Sequence, residues 1–444
     1  MNLRLSDKIF EDIKTMPSFD AHTHLDARHP SARGLADILL YHMVVSDLYS
    51  AGCPNGKRVP EYATEEYEDE RLEKAVKYLP NILNTSCYFG VKTILSDLYG
   101  IDELVTADNY KEINKAIKKK SSLKWAEEIT KRAYILRYST EFVRRGQGEC
   151  DHLFQYQLEW AFFTRCQWGQ YDTALIELEY VWGCDGLQGP LPVSLVGDLS
   201  FIKKKIKTVD DADEAVRNYC AKIPFESVIA IVHHISTDIT YRAVTRLEME
   251  EALKNRAVAG VAERDIYANY IFEAYLSELC RLKKKVMLQF SIGAEPLPYE
   301  TGSKLSTKTF FEIASIAAKY RDLNFMFMLS SYHQNQTLCT LARECPNISV
   351  TGYWWHNFFP SYIKKIIDER LDMLALNKNV AFFSDAYCMD WAYAKSIIVK
   401  RQYANVLAER IDNAQFDYDT ALKIAACSLK DAAESLLGCK SRKI

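Results

Sequence analysis

The chain has 444 residues, 48% hydrophobic and 26% charged, enough apolar material for one large barrel or two ordinary domains. A formal net charge of -3 leaves no basic footprint for nucleic acid, and the lysine triplets at 118–120, 203–205 and 283–285 read as solvated faces. Charges at Arg4, Asp7, Lys8, Glu11, Asp12 and Lys14 exclude a signal-peptide core, no apolar run reaches membrane-spanning length, and the twelve cysteines hold no CxxC pair, so the expectation is a soluble, cytoplasmic chain with reduced thiols and no membrane partner.

In chain order, strand-length apolar runs occur at Ser18 to His24, Thr173 to Trp182, Leu191 to Leu199, Ser227 to Ile235, Lys285 to Ile292, Asn324 to Leu329, Asn347 to Trp354 and Asn379 to Asp385. Helix-length segments separate the later ones: Arg264 to Lys284, Thr307 to Tyr320, Gln336 to Glu344 and Tyr362 to Leu376, with a last helical stretch at Asp417 to Leu437. Alternation of this kind implies a parallel sheet, and eight strands predict an α/β fold of the (β/α)8 TIM-barrel type, with its site at the C-terminal strand ends. Residues 36–168 break the alternation; they are charged and helix-rich, as at Glu65 to Lys77 and Asn109 to Lys120, and read as a helical insertion after the first strand. Without a linker or repeat, 1–444 is expected to be a single domain.

The densest chemistry lies at the first strand. His22 and His24 alternate in Phe-Asp-Ala-His-Thr-His-Leu, so both imidazoles share one face, half of a site for zinc or a similar divalent cation. With nine histidines, roughly one such chain in six would carry HxH by accident, so the pair needs a further donor to mean anything. Asp385 supplies one, because it ends the last strand, which barrel geometry brings beside the first; the competing reading is an N-cap for the helix beginning near Tyr387. His233 and His234 end the strand after Val232, where only one of two neighbours can face the interior; a core histidine is the competing reading for either. His42 follows in the segment after the first strand, and Trp354-Trp355 offers a flat wall for a ring-shaped substrate or ordinary core packing.

These segments together resemble the uronate isomerase branch of the amidohydrolase superfamily, from about Pro17 to Leu437. Phe19 to Leu25 is similar to the family's FDxHxHL, Leu35 to His42 with Tyr49 to Gly52 to its next segment, and Tyr88-Phe-Gly to Ile101 to its aromatic helix. Val286 to Ala294 resembles QxHIGA, Gly352 to Asn357 resembles GxWWFND, and Phe383-Ser-Asp385 resembles TDSR. The resemblance implies aldose–ketose interconversion of a sugar acid, a divalent metal, usually Zn2+, on His22, His24 and Asp385, a polar role for His42 at the reacting end, and His234 in place of an SDH histidine.

The departures fall at the substrate end. Met43 stands for the family's tyrosine, Ser291 for its fifth-strand histidine and Tyr387 for its last-strand arginine, while Leu191 to Lys203 holds no arginine to match WRPD. Arginine forks are the usual two-point grip on a carboxylate, so the metal core reads as kept and the substrate end as rebuilt around Ser291, Trp354, Trp355 and Tyr387. The expectation is a metal-dependent isomerase with Asp385, His42 and His234 as catalytic residues, acting on a small sugar acid or related polyhydroxylated molecule, in a chain that could self-associate. The alternatives are a hydrolase of an amide, ester or lactone, and a non-catalytic barrel that only binds a ligand.

Overall fold

A computed structural model describes residues 4–54, 68–145, 150–159, 173–186, 200, 202–234, 240–292, 294–296, 303–305, 308–330, 332–354 and 357–439. The strands are β1 (Ser18–Asp20), β2 (Ile135–Glu141), β3 (Phe154–Glu159), β4 (Ala230–His234), β5 (Met287–Ile292), β6 (Ala294–Pro296), β7 (Ser303–Leu305), β8 (Asn324–Leu329), β9 (Ile348–Thr351) and β10 (Asn379–Val380). The main sheet runs in the order β1-β2-β3-β4-β5-β8-β9-β10, with β6 and β7 apart as an antiparallel pair. Chain contacts group the residues into two compact units, 1–155 with 351–444, and 156–350.

In the first unit β1 pairs in parallel with β2, and the backbone beyond Asp20 bridges two neighbours. Thr23 N–H donates to Ser139 O on β2, while Ala21 N–H donates to Phe382 O, Asp385 N–H to His22 O and His24 N–H to Ala386 O. The first and last strand segments are therefore stitched together just where the chemistry-bearing residues lie. Packing behind them is a helix, Met389–Asp412, buried along most of its length, against which the N-terminal helix Leu5–Lys14 lays Ile9, Phe10 and Ile13. Lys400 on the long helix donates to the carbonyls of Lys14, Met16 and Ala133, which lie at or just past the C-terminal ends of two helices where carbonyls lack intrahelical partners.

Within the second unit β3, β4, β5, β8 and β9 pair in parallel with continuous register. β5 is buried along its whole length and β8 from Phe325 onward, as parallel strands covered by helices are. The helices Val261–Leu282, Lys308–Lys319 and Asn335–Glu344 fall where the spacing predicts them.

Two expectations need correction. Thr173 to Trp182 is a helix, Thr173–Gly183. Burial of Ala174, Leu175, Ile176, Leu178, Val181 and Trp182 makes its apolar content nearly continuous, which hides the helical period, and eleven residues is long for a strand. The stretch 36–168 is not wholly helical: helices run from Leu35 to Ala133, and β2 and β3 follow as members of the main sheet. Their sequences, Ile-Leu-Arg-Tyr-Ser-Thr-Glu and Phe-Gln-Tyr-Gln-Leu-Glu, are polar enough to be lost among charged helices. The competing reading of Asp385 as an N-cap falls, since the helix starts at Met389 with Cys388 as its cap. The strand expected at Leu191 to Leu199 lies outside the described residues.

Candidate metal centre and active site

His22 and His24 project from the backbone that continues β1, and Asp385 from the backbone that continues β10. Their ligating atoms lie within 4.8 Å of one another. Asp385 Oδ1 sits 3.3 Å from His24 Nε2 and 3.6 Å from His22 Nε2, while the two imidazole rings stand edge to face with centroids 5.1 Å apart. Around a zinc ion with bonds of about 2.1 Å, tetrahedral donors lie about 3.4 Å apart, so this triad needs only small adjustments to close on a cation. Asp385 Oδ1 is moreover buried without a hydrogen bond of ordinary geometry. Two imidazoles and one carboxylate suit a divalent ion such as Zn2+, and three protein donors leave room for a substrate atom.

The second layer was not legible in the sequence. Glu141, the last residue of β2, places Oε1 2.5 Å from His24 Nδ1, and its other oxygen accepts from Arg144 Nε. A carboxylate on the far ring nitrogen fixes the tautomer that leaves Nε2 free to ligate. Arg144 also donates through Nη1 to His24 O at 3.0 Å, and its guanidinium lies 5.8 Å from the centroid of the Tyr387 ring. Tyr387 in turn stacks on His24, with centroids 4.9 Å apart and planes at 15°. A guanidinium therefore stands beside the residue that replaces the arginine of the resembling family.

Electrostatics follow from this burial. Desolvation pushes the Asp385 carboxyl up, but hydrogen bonding to His24 and the charges of His24, His22 and Lys395 outweigh it and hold the group well below the usual carboxylate range. For His24, burial disfavours the cation, yet the Glu141 charge and the Asp385 and Glu141 contacts raise it well above an ordinary imidazole. Asp20, fully buried at the end of β1, is pushed up to about 7 by desolvation, although it accepts from Ser384 N–H at 2.8 Å.

Beneath Asp385 lie two further side chains. Tyr41 O–H donates to Asp385 O at 2.5 Å, and Lys395 Nζ donates to Tyr41 Oη at 2.8 Å and to Ser384 O at 2.6 Å. Asp385 itself has φ +54°, a left-handed conformation that a residue with a Cβ seldom adopts.

Of the other residues singled out by sequence, His42 begins the helix His42–Ser50, directly after Tyr41, and its side chain lies outside the described residues, as do those of Trp355 and His234. Trp354 is half-buried. Ser291 is buried in the second unit and donates to the carbonyl of His233 at 3.3 Å. His233 is a core histidine: its ring stacks on Phe290, Nδ1 meets Gln289 O at 3.2 Å and Nε2 meets Tyr275 Oη at 3.1 Å. The eleven cysteines among the described residues form no disulfide, and no described helix is long and apolar enough to cross a membrane.

No family model and no curated protein matches the sequence. Solved structures match over nearly the whole length. A uronate isomerase from Thermotoga maritima superposes with TM-score 0.74 at 15% identity, covering 98% of both chains. A glucuronate isomerase from Caulobacter crescentus does so with TM-score 0.74 at 14% identity, over 99% of this chain and 95% of the other. The fold is that of the uronate isomerases. It is a (β/α)8 barrel fold, reached with so little shared sequence that the chain is a divergent bearer of it. A protein from Lactobacillus casei assigned only by class, as a metal-dependent hydrolase, matches more distantly, with TM-score 0.57 at 12% identity over 97% of both chains.

Proposed function

We propose that this chain is a metal-dependent isomerase, one catalytic domain that interconverts aldose and ketose forms of a sugar acid or a related polyhydroxylated compound. The observation that carries the reading is the convergence of His22, His24 and Asp385 at the stitched ends of the first and last strand segments, on a fold whose solved bearers include uronate and glucuronate isomerases. Bound by this triad, a divalent cation, Zn2+ by preference, supplies electrophilic polarisation of a carbonyl or hydroxyl oxygen.

The chain's own groups do the rest. Asp385 carries a carboxylate low enough in pKa to stay ionised at neutral pH, and its second oxygen is the group to accept a substrate hydroxyl proton. His42 and His234 are the candidates to hand a proton between neighbouring carbons, on the family resemblance. Tyr387, its face already against His24, forms one wall for the sugar, with Trp354 and Trp355 as further walls and Ser291 the weakest of these assignments, because its hydroxyl is spent on a carbonyl. Arg144 is the candidate to stand in for the missing arginines at the acid end; its Nε already donates to Glu141 and its Nη1 to His24 O, so a two-point grip would require those contacts to open. Two carboxylates, Asp385 and Glu141, set against a divalent cation and a guanidinium leave a net positive site, which suits an anionic substrate.

A second reading, hydrolysis of an amide, ester or lactone, is favoured by the likeness to the Lactobacillus casei protein. Elemental analysis of the purified protein, joined to a turnover screen of uronates, aldonates, lactones and simple amides, separates the readings. A stoichiometric cation with isomerised sugar acid supports the first, and cleavage of lactone or amide the second. A metal-free protein inert on every compound would refute both and leave a binding barrel.

A further inference from the structure

We infer that Tyr41 and Lys395 are a positioning pair that holds the left-handed backbone turn at Asp385 and so aims its carboxylate between His22 and His24. The inference rests on the reading of that triad as a metal site.

The turn needs an external hold. A left-handed conformation is uncommon even at aspartate, which tolerates it better than most residues with a Cβ, and it is kept where the surroundings hold it. Here the amide of Asp385 is tied to His22 O at 3.0 Å, which leaves the carbonyls on either side of its φ and ψ as the free variables. Both are captured by side chains from outside the strand. Tyr41 O–H takes Asp385 O, and Lys395 Nζ takes Ser384 O together with Asn357 Nδ2 at 3.1 Å. A relaxed φ would swing the Asp385 carbonyl off the phenol and turn the carboxylate away from the imidazoles.

The two holding groups are themselves fixed. Lys395 has no exposed surface, and its ammonium lies 4.8 Å from the centroid of Tyr41 and 4.2 Å from that of Phe358, a seat that faces cation with aromatic rings and leaves its hydrogen bonds directed. Tyr41 stacks on Trp391 with centroids 4.8 Å apart. Gly90 makes that stack feasible, because a Cβ there would lie 2.6 Å from Trp391 Cζ3. The chain of contacts therefore runs from helix packing through an indole, a phenol and an ammonium to one backbone turn. A lysine that merely satisfied strand carbonyls would not require the phenol as an intermediate.

The test uses Tyr41→Phe, which removes a single oxygen, and Lys395→Met. Crystal structures of both variants should find Asp385 outside the left-handed region with its carboxylate displaced from His24. Competition titration should find zinc affinity reduced by about tenfold or more, in line with loss of an orienting partner. The ligand-field spectrum of the Co2+-substituted protein should change while far-ultraviolet circular dichroism does not. Unaltered φ, carboxylate position and Co2+ spectrum in Tyr41→Phe would overturn the inference. Should Lys395→Met fail to fold, Tyr41→Phe still decides it. Should the unmodified protein bind no cation, the metal reading falls, and the crystallographic comparison still judges the clamp.

Discussion

Replacing Glu141 by glutamine should weaken zinc binding without unfolding the protein. Glutamine keeps the shape and one oxygen to accept from His24 Nδ1, but its NH2 then faces the Arg144 Nε–H donor to donor, so what is lost is the charge and the Arg144 contact: the 2.5 Å contact ceases to be charge-assisted and His24 becomes a weaker donor. Partners of this kind contribute about 10- to 100-fold in metal affinity, roughly 1.4–2.7 kcal/mol. Because the hydrogen bond survives, the lower end, about tenfold, is expected for Glu141→Gln. Burial argues against a smaller effect, since Glu141 is only 5% exposed and solvent screens it little. Alanine is the less informative change, because it also removes the acceptor for His24 and opens a cavity; both variants take the charge partner from the mostly buried guanidinium of Arg144, and removing one partner of a buried pair costs up to about 3–5 kcal/mol in stability. The assay is competition for Zn2+ against a chromophoric chelator, alongside urea unfolding of the metal-free proteins. A dissociation constant within about twofold of the parent, with the fold intact, would refute the role given to Glu141 and with it the orientation of His24.

Four further outcomes are expected. His22→Ala with His24→Ala should abolish metal uptake with the fold still assembled, though at lower stability because the buried carboxylates of Asp385 and Glu141 lose their imidazole partner; full occupancy would remove the triad from consideration. Gly352→Ala should destabilise by about 3 kcal/mol or more, because φ is +49° and the new Cβ would fall 1.9 Å from Phe383, whose ring packs edge-on against His22, so the unfolding midpoint and metal affinity should fall together. Zinc affinity should rise with pH beyond the ordinary imidazole range, since the His24 proton must leave; equally, the His24 ion pairs stabilise the metal-free protein fully below about pH 6.5 and lose that contribution as pH climbs through the raised folded-state value, which pH-dependent titration and unfolding would measure. His233→Ala should act on stability, given its stacked, doubly hydrogen-bonded ring, whereas His234→Ala should reduce turnover or metal affinity by at least about tenfold; the reverse pattern would exchange their roles.

What the sequence determined was set by short-range rules. The period of two in a strand put His22 and His24 on one face, and Asp385 came beside them by ending the last strand-length run, so the triad could be named before any coordinates, although the eight strands counted included the helix Thr173–Gly183 and left out β2 and β3. Parallel strands with long apolar runs, such as Asn324–Leu329, announced themselves for the same reason. The tertiary structure alone decided the rest. Glu141 and Arg144 lie more than a hundred residues from His24, and Lys395 is 354 residues from Tyr41, so nothing local marks them as partners. β2 and β3 stayed hidden because a strand's polar residues are explained only by the neighbours that satisfy them, and Thr173–Gly183 passed for a strand because a helix buried on most sides loses its period. Spacing along the chain selects which atoms can be ligands; closure of the sheet selects what holds them, because hydrogen bonds and charge pairs depend on distances that the chain sets only once it is folded.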